Sequence, residues 1–358
     1  MRNLKIFFVG IALFLGVANL SLADLQDEYL LFGQRSDAGE SLNLIKSDGT
    51  ALQKITEAKQ VKYYLVNGHL LYQENNRLYE YKYQSKQKIA IPKFKADELF
   101  FNPLPGQTEQ TLMVTLEQGL EYWYVLDFTD YTLRKVSQPT EVASNSTTNA
   151  GKHYSPDKNG VAILSRKYYD GDFNLAIQEK EKNKFKTCWT LSKKLSIFPE
   201  FPNWSPDSKK VVFYARESRN SEDGYSLYLY DLKVKKLYLV KEKVFLKMEF
   251  EGLKLAQFTP SWSPDSRYLI FEYLPYGLPT ESKILRYDYE TGKRETLIMG
   301  KSEYQYPNWS PSGQKISFIS NRDQHYQLYV MDWNGKNLKR LSASGRTLWA
   351  KWLSNEAE

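Results

Sequence analysis

The residues of this 358-residue chain that could do chemistry are few: three imidazoles, His69, His153 and His325, and one thiol, Cys188. No Gly-x-Ser-x-Gly elbow, zinc-binding helix or phosphate loop accompanies them, and no cofactor motif is present. Cys188 sits in Lys186-Thr187-Cys188-Trp189-Thr190, a strand-like run in which it reads as a small buried apolar residue, and as the only cysteine it forms no internal disulfide. Four stretches place tyrosine or arginine beside carboxylates. They are Arg166–Asp172 with Tyr168, Tyr169 and Asp172; Arg216–Tyr225 with Arg219, Glu222 and Asp223; Tyr273–Glu281 with Tyr276; and Asn321–Tyr326 with Arg322, His325 and Tyr326. Such amphipathic, hydrogen-bonding groups suit recognition at an interface more than bond-breaking.

What must position them is a repeat. Pro202-Asn203-Trp204-Ser205-Pro206-Asp207-Ser208 returns as Pro260 to Ser266 around Trp262, as Pro307 to Gly313 around Trp309, and in outline as Lys152 to Asp157 around Tyr154. The steps from Tyr154 are 50, 58 and 47 residues, the length of four short strands with their loops. After Trp204 the parts are a Ser-Pro-Asp turn, Lys210 to Ala215, a polar loop, the alternating Ser226 to Asp231, and Lys236 to Val240. Period-two alternation rich in aromatic and β-branched residues is the strand signature. The fold class expected is therefore all-β, a single β-propeller of four-stranded blades, their strands named inner, second, third and outer.

The chain opens with Arg2 and Lys5, an apolar run from Ile6 to Val17 and the small pair Ser21 and Ala23, which predicts a signal peptide over 1–23. The remaining 335 residues divide into seven blades of about 48, with six of about 56 the alternative, and hold no further apolar run long enough to span a bilayer. Glu28 to Phe32 resembles Lys315 to Ile319, so the first blade lacks its inner strand. Trp349 to Ser354, in register with Tyr306 to Ser310, is an inner strand left over at the other end. The two termini are expected to share one blade and close the ring. A second blade is expected over Val61 to Ile91 and a third over Asp97 to Val136, both without the Ser-Pro-Asp turn. A connector follows over Gln138 to Lys152, and blades four to seven occupy Gly151 to Ser342.

Proline at the turn sets φ, and the flanking Ser and Asp bond nearby amides. Trp204, Trp262, Trp309 and Trp352, with Asp207 and Asp265, are accordingly structural. His153 aligns with Asn203 on an inner strand, while His69 and His325 lie in or beside loops, so a shared metal site is not expected. The inner-to-second turns are tight and the opposite rim carries the longer loops, which makes that rim the expected binding face. An insert, Lys241 to Thr259, is unusually apolar for a loop and is expected to pack. The formal charge is +7, falling to +5 without the leader, with lysine-dense segments at Lys180 to Lys194 and Lys233 to Lys247. These read as solvated strand edges, with an anionic envelope surface the alternative; nucleic acid is not expected as a partner.

The pattern Pro-x-Trp-Ser-Pro-Asp-Ser/Gly, with Asn321-Arg322-Asp323 and Leu328 to Asp332 after it, resembles the PD-type, WD-like repeats of TolB-like β-propellers, best over Tyr306 to Ser342. That resemblance implies an exported protein, periplasmic or secreted, whose partner is a periplasmic or envelope protein, a Pal-like lipoprotein among the candidates. It does not extend to TolB itself, since Glu28 already begins a blade where TolB carries a separate α/β domain. The function expected is a non-enzymatic binding scaffold. The competing reading is a propeller enzyme, such as a metal-dependent lyase acting on acidic oligosaccharides.

Overall fold

The computed structural model describes residues 28–58, 62–66, 69–74, 77–83, 85–91, 98–103, 110–117, 120–137, 149–167, 172–182, 184–192, 194–197, 202–217, 224–245, 259–274, 282–343 and 345–353. The expected leader, Tyr168, Tyr169, Arg219, Asp223 and Tyr276 lie outside these residues, as does the side chain of Asp172.

Every element among the described residues is a strand, and the strands form antiparallel four-stranded units. Unit one orders Arg346–Trp352, Tyr29–Ser36, Gly39–Lys46 and Gln53–Ala58. Unit two is Lys62–Val66, His69–Glu74, Arg77–Lys82 and Gln87–Ala90, and unit three is Glu98–Pro103, Gln110–Glu117, Leu120–Asp127 and Leu133–Val136. Unit four is Asn149–Tyr154, Gly160–Lys167, Asp172–Glu181 and Lys184–Thr190; unit five is Asn203–Trp204, Lys210–Glu217, Tyr225–Asp231 and Lys236–Phe245. Unit six is Ser261–Trp262, Tyr268–Tyr273, Lys283–Asp288 and Arg294–Met299, and unit seven is Tyr304–Trp309, Lys315–Asp323, His325–Asp332 and Lys339–Arg340. Seven units among the described residues match the division of the chain into blades of about 48.

The C-terminal strand pairs with the first strand of the chain, Leu30 opposite Trp352 and Gly33 opposite Trp349. The termini therefore share one sheet, as expected. Three details differ from the sequence reading. The second strand of unit seven runs through Asp323 and the third begins at His325, so Asn321–Tyr326 is a tight hairpin turning at Gln324 (φ 77°) rather than a loop. The outer strand of unit five continues to Phe245, so the apolar insert begins as strand, and the N–H of Leu274 in unit six donates to the Val244 carbonyl. A short strand, Leu195–Ile197, joins units four and five by pairing with Phe173 on one side and Ala215 on the other.

The core lies between units. Val211 and Phe213 join Ala162, Leu164 and Trp204 between units four and five, while Val212 and Tyr214 face Trp262, Leu269 and Phe271 between units five and six. One strand thus feeds two clusters, which is why Val211 to Ala215 is an unbroken buried run rather than an alternating one. Further clusters join six to seven, seven to one, one to two and two to three. Neighbours therefore follow the order four, five, six, seven, one, two, three, and units three and four are consecutive in the chain.

The tryptophans lock these contacts. The Trp204 indole N–H donates to the His153 carbonyl (2.8 Å), that of Trp262 to Asn203 (3.4 Å) and that of Trp352 to Asn308 (3.1 Å), each the residue before the equivalent aromatic of the preceding unit. Trp204 also lies over Gly160, where an added Cβ would approach its Cη2 to 2.6 Å. Trp204→Ala empties this wedge and is expected to destabilise the protein by about 3–5 kcal/mol, measured as a lowered urea midpoint with an unchanged denaturant slope.

Candidate functional site

The repeated turn has one construction throughout. In unit five Ser205 Oγ donates to Asp207 Oδ1 (2.5 Å), the Lys209 N–H donates to the same oxygen (3.1 Å), and the Lys210 N–H donates to Ser205 Oγ (3.0 Å). The next residue adopts a left-handed backbone in every copy: Lys158, Ser208, Ser266 and Gly313, with φ of 58°, 60°, 61° and 71°. Burial opposes the Asp207 carboxylate, but the bonds from Ser205 and Lys210 outweigh it and hold its pKa below the ordinary value. Asp265 accepts from Ser263 and from the Arg267 N–H in the same way. The turns are also linked across units, Asp157 N–H to Ser208 Oγ (3.0 Å) and Asp207 N–H to Ser266 Oγ (2.9 Å). They form one rigid face, and in each antiparallel unit the third-to-outer connection lies on that same face.

A cavity of about 530 Å³ lies where the inner strands and their turns converge. Units one, two, five, six and seven all contribute, with Trp262, Trp309 and Trp352 beside Pro264 and Pro311, and Leu65 from unit two. Lys351 is the single charged residue of this lining. It meets solvent in the cavity but is ringed by inner strands, and this burial lowers its pKa from the ordinary lysine value. An apolar, aromatic wall with one cation can hold an anionic group without burying an uncompensated charge. A second cavity, about 430 Å³, is lined by His153, Tyr154, Asn203 and Trp204; burial lowers the His153 pKa.

On the opposite rim, Arg322 sits over the Tyr329 ring (5.8 Å), and Tyr329 OH donates to Asp323 Oδ2 (2.7 Å). Tyr326 OH donates to Glu303 Oε2 (2.7 Å) with Arg346 over its ring (4.7 Å); burial first, then the bond to Glu303, pushes its pKa up to about 12. Arg322, His325 and Tyr326 are thus brought to one hairpin, with Arg322 and His325 exposed, Arg322 over Tyr329 of the same unit, and Tyr326 held between Glu303 and Arg346 of unit one. The sequence reading missed Glu272. Its side chain is 4% exposed, Oε2 has no hydrogen-bond partner among the described residues, and burial, with Glu303 adding to it, raises its pKa well above the ordinary value. The one available signal was a glutamate in Leu269-Ile270-Phe271-Glu272, where the sister units carry Tyr214 and Ile319.

The remaining candidates are dispersed. His69 Nδ1 lies 2.6 Å from Glu80 Oε1 and stacks on Phe128 between units two and three, while His153 and His325 belong to units four and seven. No group of three His, Cys, Asp or Glu capable of holding a metal occurs among the described residues. Burial, then the contact with Glu179, pushes the Cys188 thiol up to about 12, so it is not a thiolate nucleophile at neutral pH.

Sheets of four antiparallel strands, with their cores between sheets and their inner strands lining one cavity, define a β-propeller. Residues 192–357, just under half of the chain, match the TolB beta propeller domain family. Among solved structures it is similar to an oligogalacturonate lyase in complex with manganese, at 13% identity and TM-score 0.54, over 84% of this chain and 85% of that one. It is similar to the oligogalacturonate lyase of Vibrio parahaemolyticus at 11% identity and TM-score 0.53, over 84% and 85%. It is also similar to TolB from Acinetobacter baumannii at 14% identity and TM-score 0.45, over 91% of this chain and 66% of that one, just under two thirds of its length. At these identities the likeness is one of fold. No helix among the described residues is long and apolar enough to cross a membrane.

Proposed function

We propose that this chain is an exported, non-enzymatic binding platform that holds an acidic segment of an envelope protein in the cavity around Lys351. The supporting observation is the lining: three tryptophans and three prolines with one lysine among them. Aromatic rings supply large contact area at low conformational cost, and a carboxylate beside Lys351 restores the charge that burial disfavours. The rim residues Tyr168, Tyr169, Asp172, Arg219, Asp223, Tyr276, Arg322, His325 and Tyr326 are proposed as a second contact surface for a partner that spans the propeller.

A photo-crosslinking residue placed at position 351 is expected to capture a partner in cells. Lys351→Met should weaken that partner's binding by at least about tenfold, the range for removing one charge-assisted contact, without changing the melting temperature. Equal binding by Lys351→Met, with loss in a Tyr169, Arg219 and Arg322 triple replacement, would move the site to the rim. Metal analysis tests the enzymatic reading. Stoichiometric transition metal in the purified protein would favour a metal-dependent lyase acting on acidic oligosaccharides over a binding platform.

A further inference from the structure

We propose that the face bearing the repeated turns docks on an anionic membrane surface through the third-to-outer hairpins of units four and five. The two lysine-dense segments are far apart in the sequence, but the fold sets them side by side. In unit four the Lys180 N–H donates to the Asn159 carbonyl (2.8 Å), and in unit five the Leu232 N–H donates to the Lys209 carbonyl (2.9 Å), so each hairpin abuts the repeated turn of its own unit. Between the units, Trp189 stacks on Tyr230 at 4.4 Å, and the charge of Lys235 is felt at Cys188.

Lys182, Lys184, Lys186, Lys233, Lys235 and Lys236 are all exposed. The acids near these hairpin tips are the part-buried Glu179, Glu181, 3.5 Å from Lys186, and the buried Asp231, which accepts from the Val234 N–H within its own turn. Set among the lysines are apolar side chains that a soluble surface would ordinarily cover. Val234 at the tip of one hairpin is 55% exposed, Phe185 at the other is 37% exposed, and Tyr154, 53% exposed, packs against Phe185 at 6.1 Å. The equivalents of Tyr154 in units five, six and seven, the tryptophans, are each 7% exposed.

Apolar tips flanked by long cationic side chains match the boundary of a bilayer, where rings enter the headgroup layer and ammonium groups meet lipid phosphates. The charge of the two hairpins is complementary to an anionic leaflet. This docking does not depend on what the cavity binds. It would leave Lys351 on the membrane-proximal face, facing a partner anchored in the same leaflet.

The test is co-sedimentation of the purified protein with vesicles of phosphatidylcholine containing one quarter phosphatidylglycerol, against pure phosphatidylcholine. Binding is expected only to the anionic vesicles, and high salt should release it. Each lysine near the surface contributes about fivefold in affinity, so Lys184→Glu, Lys186→Glu and Lys235→Glu together should lower binding on the order of a hundredfold. Phe185→Ser should weaken binding without altering its salt dependence. If the triple variant melts below the parent, Lys235→Glu alone carries the test, with a loss of about fivefold or more. Equal binding to neutral vesicles, undiminished binding by the lysine variants, or binding to heparin with none to vesicles would overturn it.

Discussion

Removal of Trp349–Glu358 is expected to abolish the cooperative unfolding transition and yield an aggregating species rather than a protein that melts a few degrees lower. The deleted segment supplies most of the inner strand of unit one, and Tyr29–Ser36 loses the partner that covers its edge. Trp352 and Leu353 are buried, at 7% and 4% exposure, in the clusters joining unit seven to one and one to two. Trp349 stacks on Tyr63 of unit two at 3.8 Å. Losing one buried tryptophan costs about 3–5 kcal/mol, and whole domains are stable by only about 5–15 kcal/mol. Loss of two tryptophans, a leucine and a strand ladder together exceeds that margin. The exposed edge of Tyr29–Ser36 then becomes a template for intermolecular pairing. Circular dichroism melting and size-exclusion chromatography of the truncated chain check this, and a sharp transition at the parent temperature would refute closure by the C-terminal strand.

Glu272→Gln is expected to remove a fall in stability with rising pH. The folded-state pKa of Glu272 lies above its ordinary 4.5, through burial first and the neighbouring Glu303 second. At a pH above 4.5 the unfolded chain has released this proton while the folded protein still holds it. Folding then takes up a proton, so stability is fully present below about pH 4.5 and declines by about 1.4 kcal/mol per pH unit until the folded-state pKa is reached. Glutamine keeps the shape and cannot ionise. The variant should therefore show a flatter profile and a higher melting temperature than the parent at mildly alkaline pH, with little difference at acid pH. Urea unfolding across that range measures the slope, and parallel profiles for parent and variant would show that Glu272 does not hold the proton. Asp207 acts in the opposite sense: its lowered pKa contributes stability above the unfolded value that is lost as pH falls.

Much of the architecture was legible before any coordinates. The spacing of Trp204, Trp262 and Trp309 implied the blades, and the unpaired halves at Glu28 and Trp352 implied the shared sheet, because a local turn motif and a strand pattern are written within a few residues of each other. Even the units without the Ser-Pro-Asp turn were readable, since Lys62–Val66 and Leu133–Val136 still carry strand-forming side chains between breaks. The candidate sites were less legible. Arg322, His325 and Tyr326 read as a loop, yet the strand ladder of unit seven extends through Asp323, because pairing with the neighbouring strand outweighs the polar composition of Asn321-Arg322-Asp323.

The sequence by itself determined the repeat, the turn chemistry and the all-β class, which depend on neighbours along the chain. Only the tertiary structure decided what faces what. It gathered Trp262, Trp309 and Trp352 around Lys351, placed Glu272 in a core that raises its pKa, and stacked Trp189 of one lysine-bearing hairpin on Tyr230 of the other. Charge, burial and cavity shape depend on distances between residues tens to hundreds of positions apart, and those distances exist only once the sheets have packed.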